Sequence, residues 1–303
     1  MAQPLVQNAI STLVINGLIE GLERPVSLKR IDVPADLIEP FQHEESPHVR
    51  PNGAPARRPS TLPKAGNLTL SCSILDAISN GRDAVVFGAD NTELSDSSVQ
   101  LPPLVLKMAR RWQGNKVMKE AWVYDEMESI QGIAIPRCYG LFQVDLGGYI
   151  EPRPWTKEFD GKDPDDEAAD DVGFTLSRGE FNKLPPILKE FIHHPDRLCV
   201  LVLERLGDEL PSKEPISDED KKDILDLYLD IAQFSIEDDW QGRRQNILRA
   251  ADVPPGLPGS PSPNTKKIHK WRLVDFTAPH KTNLKPEYVH LISTQDVRCE
   301  MDW

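Results

Sequence analysis

Apolar positions along the 303-residue chain follow two periods, and these divide it into elements. Residues 5–19 set Leu5, Val6, Ile10, Leu13, Val14 and Leu18 at the spacing of one helix face. An amphipathic helix docked on the folded part is therefore predicted within residues 1–20. From Leu68 the pattern changes. Residues 68–74, 84–89 and 104–109 have the β-branched and apolar composition of strands, with Asn80 and Gly81 supplying a turn between the first two. A helical pattern covers 116–127, and a turn and strand follow in 134–144. The near-continuous apolar run 198–206 is long enough for a central strand. Ser217, followed by Asp218, Glu219 and Asp220, reads as the cap and acidic first turn of a helix. That helix carries Ile224, Leu225, Leu227, Tyr228, Ile231 and Phe234. Short strands are predicted at 246–250 and 271–276, and there is no internal repeat.

Composition adds linkers and insertions to this picture. Among 27 prolines, Pro47, Pro51, Pro55, Pro59 and Pro63 recur every fourth residue, so 44–66 reads as a spacer that can form neither helix nor central strand. The folded block is then 68–303, with insertions at about 151–195 and 251–267. Within the first insertion, residues 151–171 hold nine acidic and three basic side chains, a net −6 of the chain's −13. Such a run marks an exposed insertion. The acidic balance argues against a nucleic-acid partner. No apolar run reaches the roughly 18–20 residues of a spanning helix, so no membrane partner is expected. The N-terminal stretch has no basic residue before its apolar part, unlike a signal peptide. Cys72, Cys138, Cys199 and Cys299 have neither CxxC nor metal-ligand spacing. The chain reads as soluble and intracellular, cytoplasmic or nuclear, without disulfides or structural zinc.

One position needs a chemical reason. Lys107 stands inside the apolar strand 104–109, and a buried ammonium is costly unless an anion answers it. The bland reading is an edge-strand lysine with its head in water. Glu120, on the following helix face with Val117, Ala121 and Tyr124, could supply the anion.

The order of these pieces resembles a protein kinase over about residues 68–280. It runs strand, Gly-containing turn, strand, strand with Lys107, helix with Glu120, two strands, a hinge, a helix, a loop ending in Asn246-Ile247-Leu248, and a strand ending in Asp275-Phe276. The wording is similar to a divergent group of fungal protein-kinase-like proteins. That resemblance implies an α+β, protein-kinase-like fold: an N-lobe antiparallel sheet with one αC-type helix, and a reduced helical C-lobe. It implies ATP and Mg²⁺ as cofactors. In the family's logic, Lys107 holds phosphate and pairs with Glu120, while Asn246 and Asp275 bind metal. Leu203-Glu204-Arg205-Leu206 resembles the hinge that meets an adenine ring, with Glu204 and Leu206 as binding positions. Gly81 marks the glycine loop.

The chain also departs from that family. Only Gly81 remains of the glycine-rich loop, and Asp83 stands close by. The position five before Asn246 is Gln241; the catalytic aspartate by wording is Asp239, seven before it. Thr277 replaces the glycine after Asp275-Phe276, and only 27 residues follow Phe276. The function implied is ATP/Mg-dependent phosphoryl transfer to a protein Ser/Thr hydroxyl. One alternative is a catalytically impaired pseudokinase acting as a binding or scaffold module, with a nucleotide and a protein as candidate partners. Another is a small-molecule phosphotransferase.

Overall fold

The structure, a computed structural model, describes residues 3–22, 24–44, 46–147, 150–156, 184–194, 196–211, 215–238, 243–276 and 278–301. Most of the acidic insertion, Asp239 and Thr277 lie outside the described residues. The chain divides into two compact units. One comprises 1–32, 62–118 and 139–203, and the other 33–61, 119–138 and 204–303.

The first unit is a closed barrel. Its seven strands are β2 (Ile10–Asn16), β3 (Val26–Ile31), β4 (Leu68–Asn80), β5 (Ala84–Leu94), β7 (Leu104–Ala109), β8 (Cys138–Asp145) and β9 (Arg197–Glu204). They close in the order β2-β3-β8-β9-β7-β5-β4. Pairing is antiparallel for β2–β3, β3–β8, β4–β5 and β5–β7, but β2 runs parallel to β4. Two residues each of β1 (Gln3–Pro4) and β6 (Val99–Gln100) form a short parallel pair, and α2 (Pro186–His193) also belongs to this unit. Alternate residues fill the barrel: Leu13 and Ile15, Leu70 and Cys72, Val85 and Phe87, Leu104, Leu106 and Met108, and Val200 and Val202. Burial pushes the Cys72 thiol up to about 12.

The architecture corrects two sequence expectations. Residues 10–16 are a strand rather than part of a helix. Four of the first six residues there (Ile10, Thr12, Val14, Ile15) are β-branched, which favours strand. The register slips between Ile10 and Thr12, so the buried positions are 10, 13 and 15. That irregularity imitates the i, i+3 spacing of a helix. Arg30 fastens it, donating from Nη1 to the carbonyls of Gln7 (3.3 Å), Ile10 (3.3 Å) and Tyr139 (2.9 Å). Its guanidinium occupies the place that a Cβ on Gly140, at φ +124°, would fill. The second correction stems from the first. With β2 and β3 bridging β4 to β8, the sheet closes into a mixed barrel, not the antiparallel N-lobe sheet that was expected.

Nor is the second unit a helical C-lobe. It contains two long helices and two small ribbons. The helices are α3 (Asp218–Ala232) and α4 (Pro286–Glu300). One ribbon pairs β10 (Ile236–Asp238) with β13 (Pro279–Lys281), and the other β11 (Ile247–Arg249) with β12 (Trp271–Leu273). Ser217 caps α3 as expected, its Oγ accepting from the Asp220 N–H at 3.1 Å. Ala232, Leu284 and Val289 make a small core beside α4, with Val49 packed against it. The helix α1 (Gly114–Glu126) runs across the division at Met118.

Residues of the proline-rich segment are fastened rather than loose. Arg50 donates from Nε to the Leu284 carbonyl (3.2 Å) and from Nη2 to Ser235 Oγ (3.3 Å). Arg57 pairs with Glu126, and Ser60 and Thr61 donate to Glu128.

Candidate functional site

Lys107 sits on β7 with its side chain on the opposite face from Leu106 and Met108, which point into the barrel core. Its register partner is Val86 of β5. Because β7 lies between β5 and β9 in a closed barrel, Lys107 is not on an edge strand, and it is only 8% exposed. The water-facing reading is thereby replaced by a nearly buried ammonium.

Gly81 lies in the β4–β5 turn. Its N–H donates to the Ala84 carbonyl (3.0 Å), and its carbonyl accepts from Arg110 Nε (2.9 Å). Arg110 also donates from Nη2 to Asn80 Oδ1 (2.5 Å) and from its backbone N–H to the Asp83 carbonyl (3.0 Å). Arg110 thus ties this turn together from the neighbouring strand's end. A phosphate-cradling loop needs backbone N–H groups aimed outward. Here that of Gly81 is already engaged within the hairpin.

In the second unit, β11–β12 brings the two expected metal ligands to one end of a ribbon. Ile247 pairs with Leu273, and one step further the Val274 N–H donates to the Asn246 carbonyl at 2.9 Å. Asn246 closes a single 3₁₀ turn, Arg244–Asn246, and is 3% exposed. Asp275 follows Val274 at φ +68°, in the left-handed region that non-glycine residues seldom adopt. Phe276 is fully buried, edge-on to Tyr124 at 5.8 Å between centroids.

Tyr124 links this ribbon to the helix. It stands one turn after Glu120, which is 1% exposed. The Tyr124 hydroxyl has no hydrogen-bond partner among the described residues. Burial first, then the negative charges of Glu120, Cys138 and Asp275, push its pKa well above the ordinary tyrosine value. Glu120 and Asp275 therefore both act on the one phenol. Lys107 belongs to the barrel unit and Glu120 to the other.

Glu204 has structural work instead of a free backbone. Its N–H donates to the Arg137 carbonyl (2.9 Å), its Oε1 accepts from Arg137 Nη1 (2.7 Å), and its Oε2 accepts from the Arg137 N–H (3.2 Å). Arg137 reaches on to the Pro258 carbonyl (2.6 Å). Leu206 is half-buried just beyond.

Sequence reasoning missed one cluster. His269 is enclosed, donating from Nδ1 to Asp223 Oδ1 (2.8 Å) and from Nε2 to Asp230 Oδ2 (3.0 Å). Asp230 Oδ1 also accepts from Ser262 Oγ (2.9 Å) and Asn264 Nδ2 (2.6 Å), holding the proline-rich loop to α3. Burial would lower the His269 pKa, but hydrogen bonds to Asp223 and Asp230 outweigh it and raise it to about 9. The signal was present: Asp223 and Asp230 are seven apart and share the face of α3 that carries Leu227. Among the described residues, no group of three or more His, Cys, Asp or Glu side chains is arranged to hold a metal by itself.

No family model matches the chain, and no curated protein is found similar to it. Among solved structures, it is similar to vaccinia related kinase 3, with 13% identity over 69% of this chain and 48% of that one. The TM-score is 0.34, a weak likeness, and the chain spans about half the length of that structure. Neither the family models nor the curated proteins show the fungal group that the wording resembles. No helix of the described residues is long and apolar enough to cross a membrane.

Proposed function

We propose that this chain is a kinase-related protein that binds a magnesium–nucleotide complex through Asn246 and Asp275. One observation carries the reading: the ribbon delivers an amide and a carboxylate to the same end, with Asp275 held at φ +68°. A strained backbone at a carboxylate is a mark of a positioned functional group. Both are hard oxygen donors, the kind magnesium takes. Magnesium is commonly held by one or two carboxylates together with substrate phosphates, which fits a site without a dedicated cluster of acids. When bound, it would neutralise phosphate charge. Lys107 is proposed as the phosphate-holding lysine of the kinase resemblance, and Asp239 as the group that would orient an acceptor hydroxyl.

Two readings of outcome remain, phosphoryl transfer to a protein hydroxyl or binding alone. The fastened β4–β5 turn favours binding, because positioning dominates phosphoryl transfer and Arg110 already occupies this turn.

The test is thermal stabilisation by ATP, by Mg²⁺ and by both. The native chain should respond to the combination far more than to either alone. Asn246→Ala and Asp275→Ala should lose the Mg²⁺-dependent part, and Lys107→Ala should weaken ATP binding with or without Mg²⁺. An unchanged response in both metal-ligand variants overturns the assignment. Turnover on any acceptor that Asp239→Asn abolishes would decide for transfer.

A further inference from the structure

The proline-rich strap along the second unit ends in a cluster that a single modification could open. Glu128, in the one-turn helix after α1, receives three hydrogen bonds from it. Ser60 Oγ donates to Oε2 (2.5 Å), while the Thr61 N–H (2.8 Å) and Oγ1 (2.9 Å) donate to Oε1. Both hydroxyl residues are exposed. Arg57 and Arg58 precede Ser60 by three and two residues, and Leu62-Pro63 follow Thr61. Arg57 Nε donates to Glu126 Oε1 (2.5 Å), and Arg58 lies 4.7 Å from the Phe234 ring centroid.

We propose that Ser60 is a phosphoacceptor whose modification releases residues 50–61 from the second unit. The basic pair upstream, in an extended segment kept from helix by proline, is what a basic-directed Ser/Thr kinase reads. While Arg57 is engaged with Glu126, that kinase cannot use it, so modification occurs on the lifted strap. In the step, Ser60 Oγ attacks the γ-phosphorus of ATP. The new O–P bond forms as the bond to ADP breaks, and the hydroxyl proton passes to the modifying enzyme. The product has lost its donor hydrogen and carries nearly two negative charges that would face the Glu128 carboxylate. Return to the surface is then opposed by like charge, and the lifted state persists.

The experiment treats the full chain with a basic-directed Ser/Thr kinase and Mg-ATP, maps phosphate by mass spectrometry, and follows amide exchange. Phosphate should enter at Ser60 and be absent from Ser60→Ala. Exchange over 50–61 should quicken by about tenfold or more, as expected for losing three hydrogen bonds to a carboxylate, while the barrel strands stay protected. Glu128→Gln should quicken both exchange and incorporation without phosphate being needed for the former. No incorporation at Ser60 overturns the proposal. So does a phosphorylated strap whose exchange is unchanged or slower, which would mean that Arg57 or Arg58 holds the phosphate in place. Incorporation into Glu128→Gln at the native rate would sever modification from release.

Discussion

His269 Nε2 stands 3.0 Å from Asp230 Oδ2, with neither side chain reached by solvent. His269 titrates near 9 in the folded chain against an ordinary 6.5, so its contribution to stability is complete below about 6.5 and is lost as pH rises through about 9. Asp230 has the opposite sense. Burial alone would raise its pKa, but hydrogen bonds from His269, Asn264 and Ser262 hold it below the usual carboxylate value. Its contribution is present above that value and fades as pH falls through the folded one. Melting temperature should therefore fall from neutral pH toward pH 9–10, and His269→Asn should flatten that slope. An equally steep alkaline loss in the variant would show that other groups drive it.

Arg137 should be the costly end of its ion pair. Glu204 is 3% exposed, so Arg137→Ala leaves a buried carboxylate without its cation. A loss of roughly 3–5 kcal/mol is expected in denaturant unfolding. Replacing both together, Arg137→Met with Glu204→Leu, should recover most of it. A double variant as unstable as the single one would contradict that account.

Tyr124→Phe tests the buried phenol that packs against Phe276. Its hydroxyl is buried without a hydrogen-bond partner among the described residues. Removing such a group should raise stability by about 1 kcal/mol or more. A clear loss instead would mean that the phenol bonds something in solution.

Leu13→Ala distinguishes a barrel strand from a peripheral helix. Leu13 is fully buried among barrel residues, so the cost should be roughly 2–5 kcal/mol with a cavity left behind. A cost below about 1 kcal/mol would fit a loosely docked N-terminal element and not a closing strand.

Much of the local structure was legible in the chain, and the closure was not. Strands β4, β5, β7 and β9, helix α1 and the Ser217 cap follow from composition, turn residues and period. The N-terminal strand was hidden because a register slip between Ile10 and Thr12 gave its buried positions helical spacing. Helix α4 was overlooked despite Pro286 and Glu287 at its start, with Val289 and Val297 buried on it. At the candidate site, residue types and order suggested Asn246 and Asp275. Their meeting at one ribbon end depends on a pairing register that sequence spacing does not contain. Likewise the Arg110 fastening of the Gly81 turn is a long-range contact between residues 29 positions apart.

The barrel is assembled from three separate stretches of chain, 1–32, 62–118 and 139–203. Its first long strand, β2, lies parallel to β4, whose first residue is Leu68, and the ring is not complete until β9 at Arg197–Glu204. During synthesis at about 5–20 residues per second, β2 waits roughly 3–13 seconds for β4 and β3 roughly 6–23 seconds for β8. Their unpaired edges are a period of exposure in which holding by a chaperone would matter most.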